Sequence, residues 1–154
     1  MAQALTPELS PGAESRLARN YTQDTQAYVA YLKGRYYWNQ RTDEDLQRSL
    51  GFYRDALNHD PTYALAYVGL AETYSLLVWY SGQPPSETFP QTRAAATQAL
   101  QIDSTLAEAH ATLALVAWQY DRNAPAAERH FQRALALKPR YASAHHGYGQ
   151  FLAL

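Results

Sequence analysis

Tyr53-Arg-Asp-Ala-Leu-Asn-His-Asp-Pro61, Ala96-Thr-Gln-Ala-Leu-Gln-Ile-Asp-Ser104 and Phe131-Gln-Arg-Ala-Leu-Ala-Leu-Lys-Pro139 are three versions of one phrase, each with Ala-Leu at the same offset before a Pro or Ser. Each runs into a similar opening: Tyr63-Ala-Leu-Ala-Tyr67, Leu106-Ala-Glu-Ala-His110 and Tyr141-Ala-Ser-Ala-His145. The unit recurs every 35 to 43 residues. Self-similarity at that period belongs to a solenoid of helix pairs, in which each pair is too small to bury its own apolar face and stacks on its neighbours to do so.

Working outward, apolar residues keep helical spacing at Leu65, Val68, Leu70, Ala71, Tyr74 and Leu77, and again at Leu113, Val116, Ala117 and Tyr120. These are first helices of hairpins. Capping chemistry marks the second helices: Thr42 with Asp45 three residues on, Ser86 after a double proline, and Asn123 with Pro125 in the first turn. Thr105 with Glu108 reads as the cap of a first helix. Pro61 and Pro139 end second helices, because proline lacks the amide donor and disfavours a helical residue before it. The pattern predicts helices over 25–40, 43–58, 62–80, 86–101, 105–120, 123–137 and 141–154.

Composition agrees with one packed domain and narrows its work. With 47% hydrophobic residues in 154, the chain can bury a core. Thirteen Lys and Arg against fourteen Asp and Glu, with no basic run, leave nothing to neutralise a phosphate backbone, so nucleic acid is not an expected partner. The absence of cysteine excludes disulfides, thiolate metal sites and thiol nucleophiles, and fits a reducing compartment, so a cytoplasmic location is expected. The amino terminus lacks an apolar signal core and no apolar stretch reaches membrane-spanning length, so no membrane partner is expected either.

At this point the residues resemble a family, the tetratricopeptide repeat (TPR). Its signature is a large residue, Leu, a small residue and an aromatic in the first helix, then Ala, an aromatic, Ala and Pro in the second. Tyr67, Leu70, Ala71 and Tyr74 open repeat two; His110, Leu113 and Ala114 open repeat three. Ser49, Tyr53, Ala56 and Pro61 close repeat one, and Ala127, Phe131, Ala134 and Pro139 close repeat three. The least regular match is the opening helix of repeat one, around Gly34 and Tyr37. The resemblance implies an all-α, right-handed superhelix of helical hairpins: repeats at about 25–61, 62–104 and 105–139, then the first helix of a fourth over 140–154. Residues 1–22 are read as a linker or short extension, and 23–154 as the TPR domain.

Tyr31-Leu-Lys-Gly-Arg-Tyr-Tyr-Trp-Asn-Gln-Arg-Thr42, with the segment beginning at Glu108, also resembles the repeat region of multidomain bacterial signalling and transcriptional regulators. That likeness implies an excised sensor or docking module. It carries over no kinase or winged-helix activity, because neither motif is present.

Between Tyr74 and Thr92 the chain has nine residues more than the consensus hairpin, among them Trp79, Tyr80, Pro84, Pro85 and Phe89, and the expectation is a long aromatic loop over 79–91. On the concave face, which first helices build, spacings of three and four select Tyr28, Tyr31, Arg35, Trp38 and Asn39, then Leu65, Val68, Glu72 and Leu76, then Glu108, Leu115, Trp118 and Gln119. His146 and Gln150 extend it. Aromatics with a few hydrogen-bonding groups suit a peptide or partner helix, since Tyr and Trp bury much area at low rotamer cost. The expected function is therefore a non-catalytic protein-binding scaffold, with homotypic assembly through the open C-terminal end as the alternative.

Competing chemistry is weaker. His110 and His145 occupy the large-residue slot, which assigns them to packing, and the adjacent His145 and His146 diverge on a helix and cannot share an ion. Asp43, Glu44 and Asp45 sit where they complement a helix dipole. Gly147 and Gly149 form a lone GxG within a helix, with no strand or Lys of a phosphate loop. No metal, cofactor or catalytic residue is assigned. The TPR subclass that clamps a terminal carboxylate uses Lys and Asn, then Asn, then Lys and Arg; the matching positions here are Tyr31 and Arg35, Gly69, and Glu108 and Thr112, so that clamp is absent.

Overall fold

The computed structural model describes Ala18 and residues 21–154. Among them run seven helices: α1 (Thr25–Gln40), α2 (Asp43–His59), α3 (Ala64–Tyr80), α4 (Pro85–Ile102), α5 (Ala107–Leu115), α6 (Ala124–Leu137) and α7 (Ala142–Leu152). A five-residue π-turn, Val116–Tyr120, continues α5. α1 pairs with α2, α3 with α4 and α5 with α6; each later first helix then packs on both helices of the hairpin before it. Three hairpins and a lone first helix stack into the superhelix expected from the repeat period.

The recurring phrase has one recurring geometry. α2, α4 and α6 end where Asp60, Asp103 and Lys138 turn extended and donate their amides to the carbonyls of Ala56, Ala99 and Ala134, each at 2.9 Å. Those alanines are the Ala of Ala-Leu, fully buried, where any larger side chain would push the hairpin apart. Hairpin tops repeat as well: Arg41 (φ 58°), Gly82 (φ 65°) and Arg122 (φ 56°) take the left-handed conformation that ends a first helix.

Caps follow the sequence in part. Asp24, Thr42 and Asn123 accept from the amides of Ala27, Asp45 and Ala126. Ser86 does not cap α4, which starts at Pro85 behind Pro84; proline at the first position needs no amide partner. Thr105 does not cap α5 either: Leu106 takes the N-cap position, and Thr105 instead donates its hydroxyl and amide to Asp103 Oδ1, at 2.6 and 2.9 Å. The long aromatic loop over 79–91 is also absent. The extra residues lengthen α3 and α4, leaving only Ser81–Pro84 between them, and Phe89 is buried and stacked on Tyr120 at 5.5 Å.

Successive hairpins meet through matched sizes. Tyr53 is fully buried between α1 and α3. A Cβ added at Gly34 would lie 2.6 Å from its ring and one at Gly69 only 2.4 Å, so both glycines are there for close approach. Phe131 meets Gly147 in the same way, at 2.9 Å. Repeat two has Ala96 at the aromatic position, and Thr112, sixteen residues on, at the glycine position.

Most of the 1–22 extension lies outside the described residues. Its end is docked: Tyr63 donates its hydroxyl to the Ala18 carbonyl (3.0 Å), Tyr21 to Asp103 (2.6 Å) and Thr22 to Asp60 (2.5 Å). Asp60 and Asp103 are thus shared between inter-repeat turns and this segment, and hydrogen bonds to each hold its carboxyl below the usual range against some burial.

Candidate functional site

First helices of successive repeats, being equivalent elements, present one face each to a common groove. Here that groove is a cleft of about 450 Å³ running from α1 across α3 and α5 to the start of α7. Of the residues selected from sequence, Tyr31, Arg35, Trp38, Asn39, Leu65, Val68, Glu72, Leu76, Glu108 and Leu115 line it. Tyr28, Trp118, Gln119, His146 and Gln150 do not. Trp118 packs edge-on against Phe151 at 6.0 Å, within the cluster of Ala114, Ala117, Ala127 and Phe131. The π-turn supplies the reason: it breaks the α-helical spacing after Leu115, so side chains beyond it leave the face that spacings of three and four select.

Two ion pairs cross the cleft. Arg35 meets Glu72 at 3.1 Å, with side chains 31% and 14% exposed. Burial raises the Glu72 carboxyl pKa; the Arg35 charge opposes this, and the charge of Glu108 adds to it. For Arg35, burial alone would lower the pKa, but the anionic Glu72 overcomes it and the guanidinium stays charged. Further along, Lys138 donates to Glu108 at 2.8 Å and sits 4.8 Å over the Tyr141 ring.

At the α1 end, the Trp38 ring carries the guanidinium of Arg35 at 4.3 Å and that of Arg41 at 3.8 Å. Its indole N–H is buried and has no acceptor among the described residues. Leu65, Val68, Leu76 and Leu115 supply apolar lining beside these charges. Tyr31 closes the floor, tilted against Tyr53 (5.8 Å) and Tyr63 (5.2 Å).

Sequence reasoning passed over Arg41 and Lys138. Lys138 carried a signal, since it replaces the Asp60 and Asp103 of the other two phrases. Arg41 carried none, because a turn residue lies on no helical face. A second pair escaped too: His110 Nδ1 lies 3.3 Å from His130 Nδ1, and His110 Nε2 lies 3.2 Å from the Ser104 carbonyl. A carbonyl only accepts, so neutral His110 carries its proton on Nε2 and His130 donates from Nδ1. Burial lowers both pKa values. No group of three or more His, Asp or Glu capable of holding a metal occurs among the described residues.

Neither a protein-family model nor a curated protein matches the sequence. Solved structures do. The first TPR of Spaghetti (RPAP3), solved with an HSP90 peptide SRMEEVD, matches with a TM-score of 0.68 and 16% identity, over 86% of this chain and 95% of its own. The Arabidopsis OM64 TPR domain matches with 0.68 and 20%, over 83% and 95%. The chain has the TPR fold. TPR geometry explains why the cleft is lined mainly by α1, α3 and α5, and no described helix is long and apolar enough to cross a membrane.

Proposed function

We propose that the chain is a non-catalytic scaffold that binds a peptide or partner helix on its concave face, as a module of a larger bacterial signalling protein in the cytoplasm. The observation that carries this reading is the cleft itself, which combines the apolar side chains of Leu65, Val68, Leu76 and Leu115 with fixed charges at Arg35, Glu72, Glu108 and Lys138; a TPR neighbour's name records a bound peptide for that protein. The cleft volume falls in the range of formed binding sites. Selection of displayed random peptides against the parent chain, with a Leu76→Arg/Leu115→Arg variant as counter-screen, tests the reading. Clones that bind the parent and not the variant, with melting curves checked for both, support it; clones that bind both alike sink it.

The second reading is homotypic assembly. Leu152, at the end of α7, and Leu154, just past it, are 61% and 94% exposed, close in the chain to Phe151. Light scattering over a range of concentrations separates the two: a concentration-independent monomer, unchanged by Leu152→Glu, removes it.

A further inference from the structure

We infer that the cleft selects a peptide by an internal acidic side chain, received at its α1 end by Arg41 and the Trp38 indole N–H. This rests on the peptide-binding reading above and adds the chemistry of the ligand. The charges in the cleft are three cations and two carboxylates. Both carboxylates are already answered: Glu72 holds Arg35 at 3.1 Å and Glu108 holds Lys138 at 2.8 Å. Arg41 has no carboxylate within ion-pair distance among the described residues, so one positive charge is left over, on the wall of the site. A charge left over in a concave, partly apolar site is the element that complementarity acts on.

The second observation is independent of charge. The indole N–H of Trp38 is buried with no acceptor, and it belongs to the ring on which Arg41 is stacked, 3.8 Å away. Nearly all buried donors find a partner, and one that does not calls for a reason. A single group satisfies both vacancies if it accepts hydrogen bonds and carries negative charge. A carboxylate does this, taking the guanidinium through charge-assisted bonds and the indole N–H through its second oxygen as the Arg41 side chain swings with it. The adjacent wall at Leu76 and Leu115 then takes an aliphatic residue, so the segment recognised alternates acidic and aliphatic side chains. An alternating segment in an extended conformation is recognised within the chain, with no free terminus required.

The test uses the whole chain, isotope-labelled for NMR, and three hexapeptides with acetylated and amidated ends: Gly-Glu-Leu-Glu-Leu-Gly, the same with Gln for Glu, and the same with Lys for Glu. The expected result is a shift of the Trp38 indole N–H signal with the Glu peptide, binding roughly tenfold weaker for the Gln peptide, and none for the Lys peptide. Arg41→Gln should bring the Glu and Gln peptides to equal affinity. It leaves the backbone cost at φ 58° unchanged, since both residues carry a Cβ. Trp38→Phe, which keeps an aromatic ring and removes the donor, should weaken the Glu peptide. Equal binding of the Glu and Gln peptides in the parent overturns the acidic selectivity while leaving a peptide groove in place. Preference for the Lys peptide overturns the assignment of charge. Failure of all three to shift any cleft signal overturns the inference, and the display selection then decides whether the groove binds peptides of another kind.

Discussion

Gly69→Ala tests the packing argument at its tightest point. A Cβ at Gly69 would sit 2.4 Å from Tyr53 Cζ and 2.5 Å from Cε1, well inside contact distance, and the ring is held on its other side by Gly34. Neither α3 nor the ring can shift without disturbing the α1–α3 contact. Overpacking of this kind costs about 1 to 3 kcal/mol. The same substitution also gains about 1 kcal/mol of helix propensity, which blurs the raw value. Gly51→Ala removes that ambiguity: Gly51 lies within α2, nothing lies within 4 Å of its added Cβ, and it collects the propensity gain alone. The difference between the two variants is therefore the clash, about 1 to 3 kcal/mol, or roughly 2 to 12 °C in melting temperature for a chain of this size. Thermal unfolding followed by circular dichroism reads it, with Gly51→Ala above the parent and Gly69→Ala well below Gly51→Ala. In a Tyr53→Leu background, which removes the ring atoms concerned, Gly69→Ala should cost less, a coupling that a double-mutant cycle measures. If the two alanine variants melt within about a degree of each other, the ring-to-glycine interface does not hold the hairpins together and the reasoning is refuted.

Ala134→Leu places three extra carbons at a fully buried position where the α6 cap amide bonds back to the Ala134 carbonyl, and should cost about 1 to 3 kcal/mol in chemical denaturation. Arg35→Leu strands the Glu72 carboxylate and should cost on the order of 2 kcal/mol, less than a wholly buried pair because Arg35 is 31% exposed; Arg35→Leu/Glu72→Leu should recover most of that loss, and a double variant no better than the single would refute the pairing. Burial keeps His110 and His130 neutral below their ordinary value of 6.5, so the unfolded chain takes up protons first, and the stability they contribute above 6.5 is lost as pH falls from there through their folded values. His110→Tyr, which installs the residue that Tyr67 supplies in repeat two, should flatten that loss in melting curves taken from pH 7.5 to 5. The raised Glu72 pKa works in the opposite sense, its contribution falling as pH rises above 4.5, and cancels between parent and variant.

The fold was legible because it is repeated. Ala56, Ala99 and Ala134 share an offset, a burial and a hydrogen bond, and any one of them identifies the other two. Helix bounds were readable to within two residues except at the end of α5, where the π-turn intervenes. Two kinds of local signal misled. Ser86 and Thr105 have the chemistry of caps, but Pro85 needs no capped amide and Thr105 bonds Asp103 while Leu106 takes the N-cap position. The nine additional residues after Tyr74 contain glycine and prolines that punctuate a loop, yet Pro85 starts α4 without losing an amide bond, and the insertion is helical even though Pro90 lies inside α4.

The cleft is less legible for a reason built into repetition. Consensus positions are the ones whose side chains must pack alike in every unit, so a phrase that recurs reports structure. Binding chemistry sits where the units differ. Asp60 and Asp103 turn outward from the cleft to hold Thr62, Thr105 and the docked amino-terminal segment, whereas Lys138, at the same place in the third phrase, reaches Glu108 across the groove. Arg41 and Arg122 take the same left-handed turn conformation, yet only Arg41 has a tryptophan beneath it and only Arg41 lines the cleft. Trp118, the residue whose type and nominal spacing best fitted a groove anchor, is removed from it by one turn of π-helix. Comparing the three units position by position, and asking of each departure what its side chain reaches, therefore recovers Lys138 from sequence. Arg41 and Trp118 become readable only once the turns and the π-helix are in place, because their roles depend on backbone conformations that no side-chain pattern encodes.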